Sequence, residues 1–564
     1  MAFQVSPGVE VKEIDATSVV PAVSTSIGGF AGSFNWGPVE EIVTVGSEKE
    51  LAAKFGTSDS KTFKYFLTAA AFLKYGNALK IVRAADGGIN ATTDGTGQLI
   101  KNKDDYDNNY SSGELSKGLW ATKYPGLLGN SISVSICTQG HSDFSSWAYS
   151  GSFNSAPGTS EYATGLGKTS ANDEMHIAII DTNGIITGTV GAVLETYAYV
   201  SQASDAKKSD GTSNYYKEVI NTGSNYIWWL DHSATLTSAG NALSDASTNS
   251  FVISTSALTN TLSGGTDASS VSVASITNAL ALFDDSETVD VNLLFAVPDA
   301  NGVNTIAAAL IEIAATRKDC MAFVSPPIED TVGTSSPAAD VKVWADSLTS
   351  TSYASADSTA LYVYDKYNDV YRWIGAAGHI AGLCANADTV ADAWFSPAGV
   401  NRGQLLGVTK LAFNPKKADR DTLYKARVNP IVSFSGQGTM LYGDKTLLSK
   451  PSAFDRINVR RLFLAIERAI SIAARNVMFE FNDEFTRAEF QNVVEPFLRE
   501  IQGRRGITDF RVVCDTTNNT AAVIDRNEFK ADVFIKPARS INYVTLTFVA
   551  VRTGVDFEEV VGTV

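Results

Sequence analysis

The stretch from Gly438 to Thr446, G-T-M-L-Y-G-D-K-T, comes nearest to a motif with a defined chemistry. It is close to the phosphate-binding loop G-x-x-x-x-G-K-[ST], in which backbone N–H groups and a lysine converge on one phosphate. That convergence needs glycine directly before the lysine. Here Asp444 separates Gly443 from Lys445 and places a carboxylate where the anion would sit. No clear strand precedes the loop either, so the sequence predicts neither a nucleotide site nor a bound cofactor.

Histidines and cysteines are too few and too scattered to predict a metal site. The four histidines are His141, His176, His232 and His379. None has metal-ligand spacing with another histidine or with a cysteine. Carboxylate pairs such as Asp284-Asp285 are common in an acidic chain, and sequence cannot show two of them facing each other across a cleft. With no G-x-S-x-G present, the sequence predicts no metal, no catalytic residue and no enzymatic activity.

Composition indicates a multidomain protein with little affinity for nucleic acid. The 564 residues exceed what one hydrophobic core holds, so roughly two to four domains are expected. A formal net charge of -16 disfavours nucleic acid as a partner and makes copies of the chain repel one another. No apolar run approaches the roughly 18 residues of a membrane span. Self-assembly would therefore rest on main-chain pairing, apolar contact and local charge complementarity.

The strongest helical pattern runs from Asp455 to Phe479. Apolar residues recur there at three- and four-residue spacing, which predicts a helix of about six turns. Arg461, Arg468 and Arg475 recur every seven residues and form a basic line along the same helix. Two interpretations of this line stay open: a solvated face of a core helix, or a surface that docks on another molecule.

Changes in composition divide the chain into five predicted parts. They are residues 1–20, 21–90 together with 266–360, 91–265, 361–551 and 552–564. The second and fourth parts mix helix and strand patterns and are predicted to be α/β domains. The third is rich in Ser, Thr, Gly and Asn, which predicts an inserted β-rich domain. The predicted fold class is thus a multidomain α+β, or mixed α/β, protein whose core of sheet and helices is built from N- and C-terminal parts.

Short local signals predict several individual elements. Met321 to Val324 is predicted to be a strand because Pro326 and Pro327 follow it. Thr486 to Glu489, T-R-A-E, predicts a capping box that opens a helix. Phe510 to Asp515 and Phe529 to Ile535 are predicted strands.

The first and last parts are predicted to be extended terminal arms. Val5, Val9 and Val11 alternate with polar residues, a period typical of a strand, and the last residues are short, apolar and acidic. A strand at a chain end must pair with an edge. The residues alone leave open whether that edge belongs to the same chain or to a neighbour.

Many short stretches resemble, in order and spacing, the contractile tail sheath proteins of large contractile-tailed bacteriophages. They are Ser6 to Glu13, Phe34 to Pro38, Phe72 to Asn77, Ile81 to Ala84, Tyr124 to Asn130, Tyr364 to Asp369, Ile380 to Cys384, Ser396 to Gly399, Asn401 to Gly403, Tyr442 to Thr446, Asn458 to Phe463, Val513 to Asn519 and Pro537 to Asn542. The resemblance is dense over residues 1–90 and 360–550 and sparse over 90–265.

This resemblance implies a structural subunit of the virion tail, assembled in the host cytoplasm. Copies of such a subunit form stacked hexameric rings around the inner tail tube and contract to drive the tube through the host envelope. The implied partners are the chain itself, the tail tube protein, and the baseplate and tail terminator proteins, without direct nucleic-acid contact or membrane insertion. The alternative is a carbohydrate-binding or depolymerising surface protein of the virion, which only the polar β-rich middle suggests.

The resemblance also implies roles for particular residues. The terminal arms would pair with sheets of neighbouring subunits by β-augmentation. The arm residues are Val5, Val9, Val11, Ile14, Phe557, Val560 and Val561. The domain at 361–551 would carry polymerisation and face the tube, and Arg461, Arg468 and Arg475 would face the tube or an adjacent subunit.

Overall fold

A computed structural model describes residues 24–84, 87–113, 115–138, 144–245, 250–267 and 271–542. These residues divide into two compact units, a larger one ending at residue 471 and a smaller one comprising residues 394–396 and 472–542. Helices and several separate sheets both contribute, so the predicted multidomain α+β fold class is confirmed. The predicted domain boundaries stay a prediction.

The helices are numbered along the chain and differ in length. They are α1 Glu48–Phe55, α2 Phe63–Leu73, α3 Lys103–Asn109, α4 Glu161–Gly165, α5 Tyr216–Gly223, α6 Val273–Ala281, α7 Thr305–Arg317, α8 Pro337–Ser347, α9 Ala377–Val390, α10 Lys417–Lys425, α11 Ile457–Ala474, α12 Glu484–Gly503 and α13 Ala521–Ile524.

The strands are mostly short. They are β1 Gly28–Gly32, β2 Ile42–Val45, β3 Leu79–Arg83, β4 Trp120–Thr122, β5 Ile132–Thr138, β6 Glu174–Asp181, β7 Ala192–Ser201, β8 Ile227–Trp229, β9 Leu258–Thr261, β10 Leu293–Phe295, β11 Met321–Val324, β12 Ala354–Asp357, β13 Leu361–Asp365, β14 Val370–Ile374, β15 Val408–Leu411, β16 Val428–Asn429, β17 Ile431–Phe434, β18 Gly438–Leu441, β19 Ile507–Val513 and β20 Asp532–Pro537.

A seven-stranded sheet in the order β16-β12-β11-β10-β1-β3-β2 organises the larger unit. Every neighbouring pair is parallel except β2 with β3. A parallel sheet must be covered on both faces, which explains why the strands β10, L-L-F, and β11, M-A-F-V, are continuous apolar runs. The predicted strand at 321–324 is confirmed as β11.

Strand β1, G-G-F-A-G, lies in the middle of this sheet and is buried throughout. Its glycines allow close packing, since a Cβ on Gly28 would lie 2.8 Å from the ring of Phe72. Phe295 of β10 is the centre of the core, with ring centroids 5.2 Å from Phe30 and 5.3 Å from Phe72. Small residues in the strand therefore make room for large aromatic residues around it.

The polar middle of the chain builds a separate β structure. Strands β7, β6, β5 and β9 form a four-stranded antiparallel sheet, and β4 pairs with β8. Ile132, Val134 and Ile136 of β5 belong to a hydrophobic cluster distinct from the main core. The Ser- and Thr-rich composition thus still leaves enough apolar residues for a second core.

Helix α12 and the β19–β20 hairpin form the body of the smaller unit. Phe490, Val494 and Leu498 are buried along one side of α12, as the apolar spacing predicts. The predicted capping box at Thr486 is wrong. The helix begins two residues earlier, at Glu484, because the Asp483 carboxylate accepts a hydrogen bond from the Thr486 N–H and serves as the N-cap.

Helix α11 is shorter than its apolar pattern predicts. It ends at Ala474, and a single 3₁₀ turn at Arg475–Val477 follows. The predicted helix as far as Phe479 is therefore wrong over its last turn, because the apolar residues there do not pack along a helix.

A buried carboxyl at the carboxyl end of β12 predicts a pH dependence of stability. Burial raises the pKa of Asp357 to about 7, although bonds from the Ser325 hydroxyl and the Thr359 N–H favour the charged form. The folded-state pKa lies above the unfolded one, so this stability is complete below about pH 4 and is lost as pH rises towards 7. From about pH 5 to 7, the free energy of unfolding should fall by roughly 2–3 kcal/mol relative to the Asp357→Asn variant.

Denaturant titrations of both chains at several pH values measure this difference. Asp421→Asn, at an exposed position of α10, is the matched control and should follow the native chain. Parallel pH curves for the native chain and Asp357→Asn would contradict the assignment.

Candidate assembly surfaces

The β19–β20 hairpin offers main-chain groups for pairing. Its register runs from Ile507 opposite Pro537 to Val513 opposite Asp532, with an irregularity between Ile507 and Asp509. Within the described residues this sheet contains two strands, so its outer edges have no strand partner there. An edge strand presents a row of N–H and C=O groups that another strand can pair with.

The two outer edges of this hairpin differ. Side-chain amides of α12 cover part of β19, since Gln491 donates to the Val512 carbonyl and Gln502 donates to the Thr508 carbonyl. Strand β20 alternates between exposed and half-buried residues, and Phe534 in its middle is mostly exposed. Among the described residues no side-chain amide bonds to the main chain of β20, so the edge of β20 is the less covered of the two.

An apolar segment follows α11 in the smaller unit and is almost uncovered. Met478 is 59% exposed, Phe479 100%, Phe481 84% and Phe485 77%. Four large apolar side chains within eight residues form the kind of surface that a partner usually covers. We call these residues the 478–485 segment.

Hydrogen bonds hold the 478–485 segment in place. The Asn482 amide donates to the Glu528 carbonyl and to Asn519, and Arg487 donates to both the carbonyl and the side-chain oxygen of Asn482. Phe479 adopts a φ of 71°, a left-handed conformation that costs a residue with a Cβ roughly 1–2 kcal/mol. The 478–485 segment is thus held in a defined conformation by hydrogen bonds and is not the frayed end of a helix.

Arg461, the first member of the predicted basic line, lies inside the larger unit. Its Nη2 is 2.8 Å from both carboxylate oxygens of Asp388, and its Nη1 donates to the Cys384 carbonyl. Its side chain is 3% exposed. Burial by itself would lower the pKa of Arg461, but the Asp388 carboxylate more than offsets that and raises it. Arg461 therefore cannot reach a tube or a neighbouring subunit from this position.

The other two arginines differ from Arg461 and from each other. Arg468 is partly exposed and its Nη2 lies 2.5 Å from an Asp290 carboxylate oxygen. Arg475, in the smaller unit, is exposed and makes no ion pair with another described residue. A docking role stays a prediction for these two, and the structure does not bring the three together as one exposed basic face.

Sequence reasoning missed both the neighbouring Arg460 and the 478–485 segment. The Arg460 guanidinium is buried between the rings of Tyr353 and Phe454, 4.2 and 4.1 Å from their centroids. Nothing in its spacing distinguishes it from a surface arginine. The 478–485 segment did carry a signal, because F-E-F-N-D-E-F interleaves phenylalanines with acidic residues.

The loop that resembles a phosphate-binding motif is a structural turn. Asp444 is buried, and the Lys445 ammonium donates to the Tyr424 carbonyl and lies 4.1 Å from its ring centroid. The Asn429 side-chain amide donates to the Lys445 carbonyl, and the Lys445 N–H donates to the Asn429 side-chain oxygen. The lysine therefore holds the turn together and does not point to an open anion site.

The remaining polar groups of the described residues do not gather into a metal-binding cluster. No three of His, Cys, Asp and Glu in this part of the chain gather closely enough to hold a metal ion. His379 is buried, which lowers its pKa to about 3, and its Nδ1 is 3.0 Å from the Tyr75 hydroxyl. Every helix in the described ranges is too short or too polar to cross a membrane.

The predicted arm residues are not covered by the structure. Val5, Val9, Val11, Ile14, Phe557, Val560 and Val561 all lie outside the described residues. Their pairing stays a prediction.

Family comparisons cover both units. Residues 25–84 match the family model "Tail sheath protein Gp18 domain III N-terminal region", residues 270–447 match "Phage tail sheath protein central domain", and residues 449–551 match "Phage tail sheath C-terminal domain". A contracted sheath complex of an extracellular contractile injection system shares the fold at 14% identity and a TM-score of 0.51, covering 99% of this chain and all of that one.

Curated relatives are closer in sequence. The tail sheath protein of Enterobacteria phage T4 is 34% identical, and that of Vibrio phage KVP40 is 32% identical. Each alignment covers 99% of this chain and 99% of the relative. The chain therefore belongs to the phage tail sheath protein family.

Proposed function

We propose that this chain is the subunit of a contractile tail sheath, a structural protein of the virion tail rather than an enzyme. Copies polymerise as stacked hexameric rings around the inner tail tube, and the polymer contracts to drive the tube through the host envelope. The observation that carries the proposal is the similarity to curated tail sheath proteins along 99% of the chain. Assembly takes place in the host cytoplasm, and the baseplate and tail terminator proteins bound the polymer at its two ends.

Main-chain pairing between copies is the link that holds the polymer together. The terminal arms of neighbouring copies add strands to the β19–β20 hairpin, and the accessible edge of β20 supports this arrangement. Each added main-chain hydrogen bond contributes about 0.5–1.5 kcal/mol whatever the side chains are. This matters in a chain of net charge -16, whose copies repel one another.

The work of contraction comes from the interfaces between subunits. An interface between subunits that makes more favourable contacts in the contracted state lowers the free energy of the polymer when the subunits rotate. No nucleotide needs to be hydrolysed, which agrees with the structural role of Lys445. The arms keep the copies connected while their bodies move.

The 478–485 segment is the part of the subunit that contacts the tail tube. Its four exposed apolar side chains provide contact area, and the hydrogen bonds of Asn482 order it before binding. Preordering reduces the conformational entropy lost on binding. Arg475, exposed three residues before this segment, is the member of the basic line placed to join this contact.

Electron microscopy of the purified chain, alone and with tail tubes, tests the proposal. Tubes or stacked rings with sixfold symmetry support it. Discrete particles that bind or cleave polysaccharide would support the alternative surface protein and refute the sheath subunit.

Deletion of residues 1–20, or of residues 556–564, should leave a folded chain that no longer forms tubes. The body keeps its cores, while the strands that would pair with neighbours are gone. Circular dichroism checks the fold and electron microscopy checks polymerisation.

A matched pair of substitutions separates main-chain pairing from side-chain contact at the N-terminal arm. Val9→Pro removes a backbone donor and should reduce tube formation strongly, whereas Val9→Thr keeps the donor and should reduce it little. Equal polymerisation by both variants would show that the arm does not pair as a strand.

Phe481→Ser should abolish assembly on the tail tube while changing the free energy of unfolding by less than about 0.5 kcal/mol, because an exposed side chain contributes little to folding. Phe490→Ser is the control. Its side chain is buried on the same unit, so it should destabilise the chain by about 3–5 kcal/mol. Co-sedimentation with tubes and denaturant titration measure the two effects.

Polymerisation of the Phe481→Ser variant in the absence of tail tubes shows which partner the 478–485 segment contacts. Normal tube-free polymers together with lost tube binding place the segment against the tube. Loss of both would assign it to an adjacent subunit instead, and retention of both would remove it from any interface.

A further inference from the structure

Two ion pairs, Arg461–Asp388 and Arg468–Asp290, contact Ser24 and Thr25, where the described residues begin. Ser24 and Thr25 directly follow the first 23 residues. The Arg468 guanidinium donates to the Ser24 carbonyl, and the Arg461 guanidinium donates to the Thr25 carbonyl. Helix α11 therefore holds two consecutive residues that lie more than 400 positions earlier in the chain.

The inner pair holds Thr25 through both its main chain and its side chain. The Thr25 hydroxyl donates to the Asp388 carboxylate at 2.6 Å, and the same carboxylate binds Arg461 at 2.8 Å. Asp388 lies on α9, so the arrangement joins α9, α11 and Thr25. Because the pair is buried, its attraction is weakly screened by water and salt.

The outer pair is more accessible to solvent. Arg468 is 22% exposed and Asp290 40% exposed, and their closest atoms are 2.5 Å apart. The other terminal nitrogen of Arg468 lies 3.4 Å from the Ser24 carbonyl. Arginine suits this role because its planar group donates in several fixed directions at once.

A third contact leads from these residues into the centre of the sheet. The Ile27 N–H donates to the Asn292 side chain, and the Ile27 carbonyl accepts from the Asn292 and Leu293 N–H groups. Strand β1 begins at the next residue, Gly28, and lies between β10 and β3. The chain is thus fixed at Ser24, Thr25 and Ile27 before it enters a strand that is buried along its whole length.

We infer that Arg461, Asp388, Arg468 and Asp290 act as an anchor for the root of the N-terminal arm. The anchor transmits tension from the arm to β1 and its two neighbouring strands. A force on the arm then acts on the core and does not detach residues 24–27. This assignment rests on the proposed function, in which the arm links copies of the chain. The arginines of α11 are then positioning residues inside one subunit.

Hydrogen exchange of the unassembled full-length chain tests the anchor without requiring a sheath. Thr25→Val removes the hydroxyl contact with Asp388, Asp290→Asn removes the outer ion pair, and Arg468→Gln removes both contacts of that guanidinium. All three leave the Arg461–Asp388 pair intact. Peptides covering residues 25–28, in which the Ile27 and Gly28 N–H groups donate to the Asn292 side chain and the Ala78 carbonyl, should exchange roughly tenfold faster or more in each variant, with amides of β11 unchanged. Arg468→Lys keeps the charge and should restore part of the protection.

Two controls match these variants. Ser26→Ala changes the neighbouring residue, whose hydroxyl makes no hydrogen bond to another described residue, and Arg499→Gln removes an exposed arginine of α12. Both should exchange like the native chain. Unchanged exchange at residues 25–28 in the three anchor variants would overturn the inference.

Electron microscopy then links the anchor to assembly. Anchor variants should form fewer or shorter tubes than the native chain and the controls. If the native chain itself formed no tubes, the proposed function would fail, while the exchange data would still decide whether the anchor exists. Faster exchange together with normal tubes that survive contraction would refute a role for the anchor in carrying tension.

Discussion

The buried ion pair between Arg461 and Asp388 is the constraint on which much of the larger unit depends. It joins α11, α9 and the residue that precedes β1 by three positions. Removing Asp388 would leave the buried Arg461 guanidinium without its charge partner, which destabilises the fold. Three segments that are distant in sequence are therefore held together at one point, and β1 starts from a fixed position.

The same chain must associate with copies of itself although its net charge is -16. The surfaces proposed for pairing between copies and for contact with the tail tube suit such a chain, because neither depends on attraction between formal charges. The β19–β20 hairpin offers main-chain groups, and the 478–485 segment offers apolar area. Two arginines of the predicted basic line are used within the chain, Arg461 with Asp388 and Arg468 with Asp290.

Much of the secondary structure was predictable because its causes are local. Strand β11 matches its predicted bounds, and the predicted strands at 510–515 and 529–535 correspond to β19 and β20 with bounds shifted by two or three residues. The two errors have distinct origins. At α12, Asp483 competed successfully with Thr486 for the N-cap. At the end of α11, the apolar pattern continued although the helix did not, because a pattern cannot show whether an apolar side chain is covered by its own chain or by a partner.

The sequence by itself determined the alternation of helices and strands, the acidic balance, the absence of a phosphate-loop glycine before Lys445, and the order of motifs that indicates the family. The tertiary structure decided which arginines are available to a partner. Arg461 and Arg475 occupy equivalent heptad positions, yet one is 3% exposed and the other is on the surface. Burial depends on what packs against a residue, and the residues that cover Arg461 lie 73 and 436 positions away, beyond the reach of any local pattern.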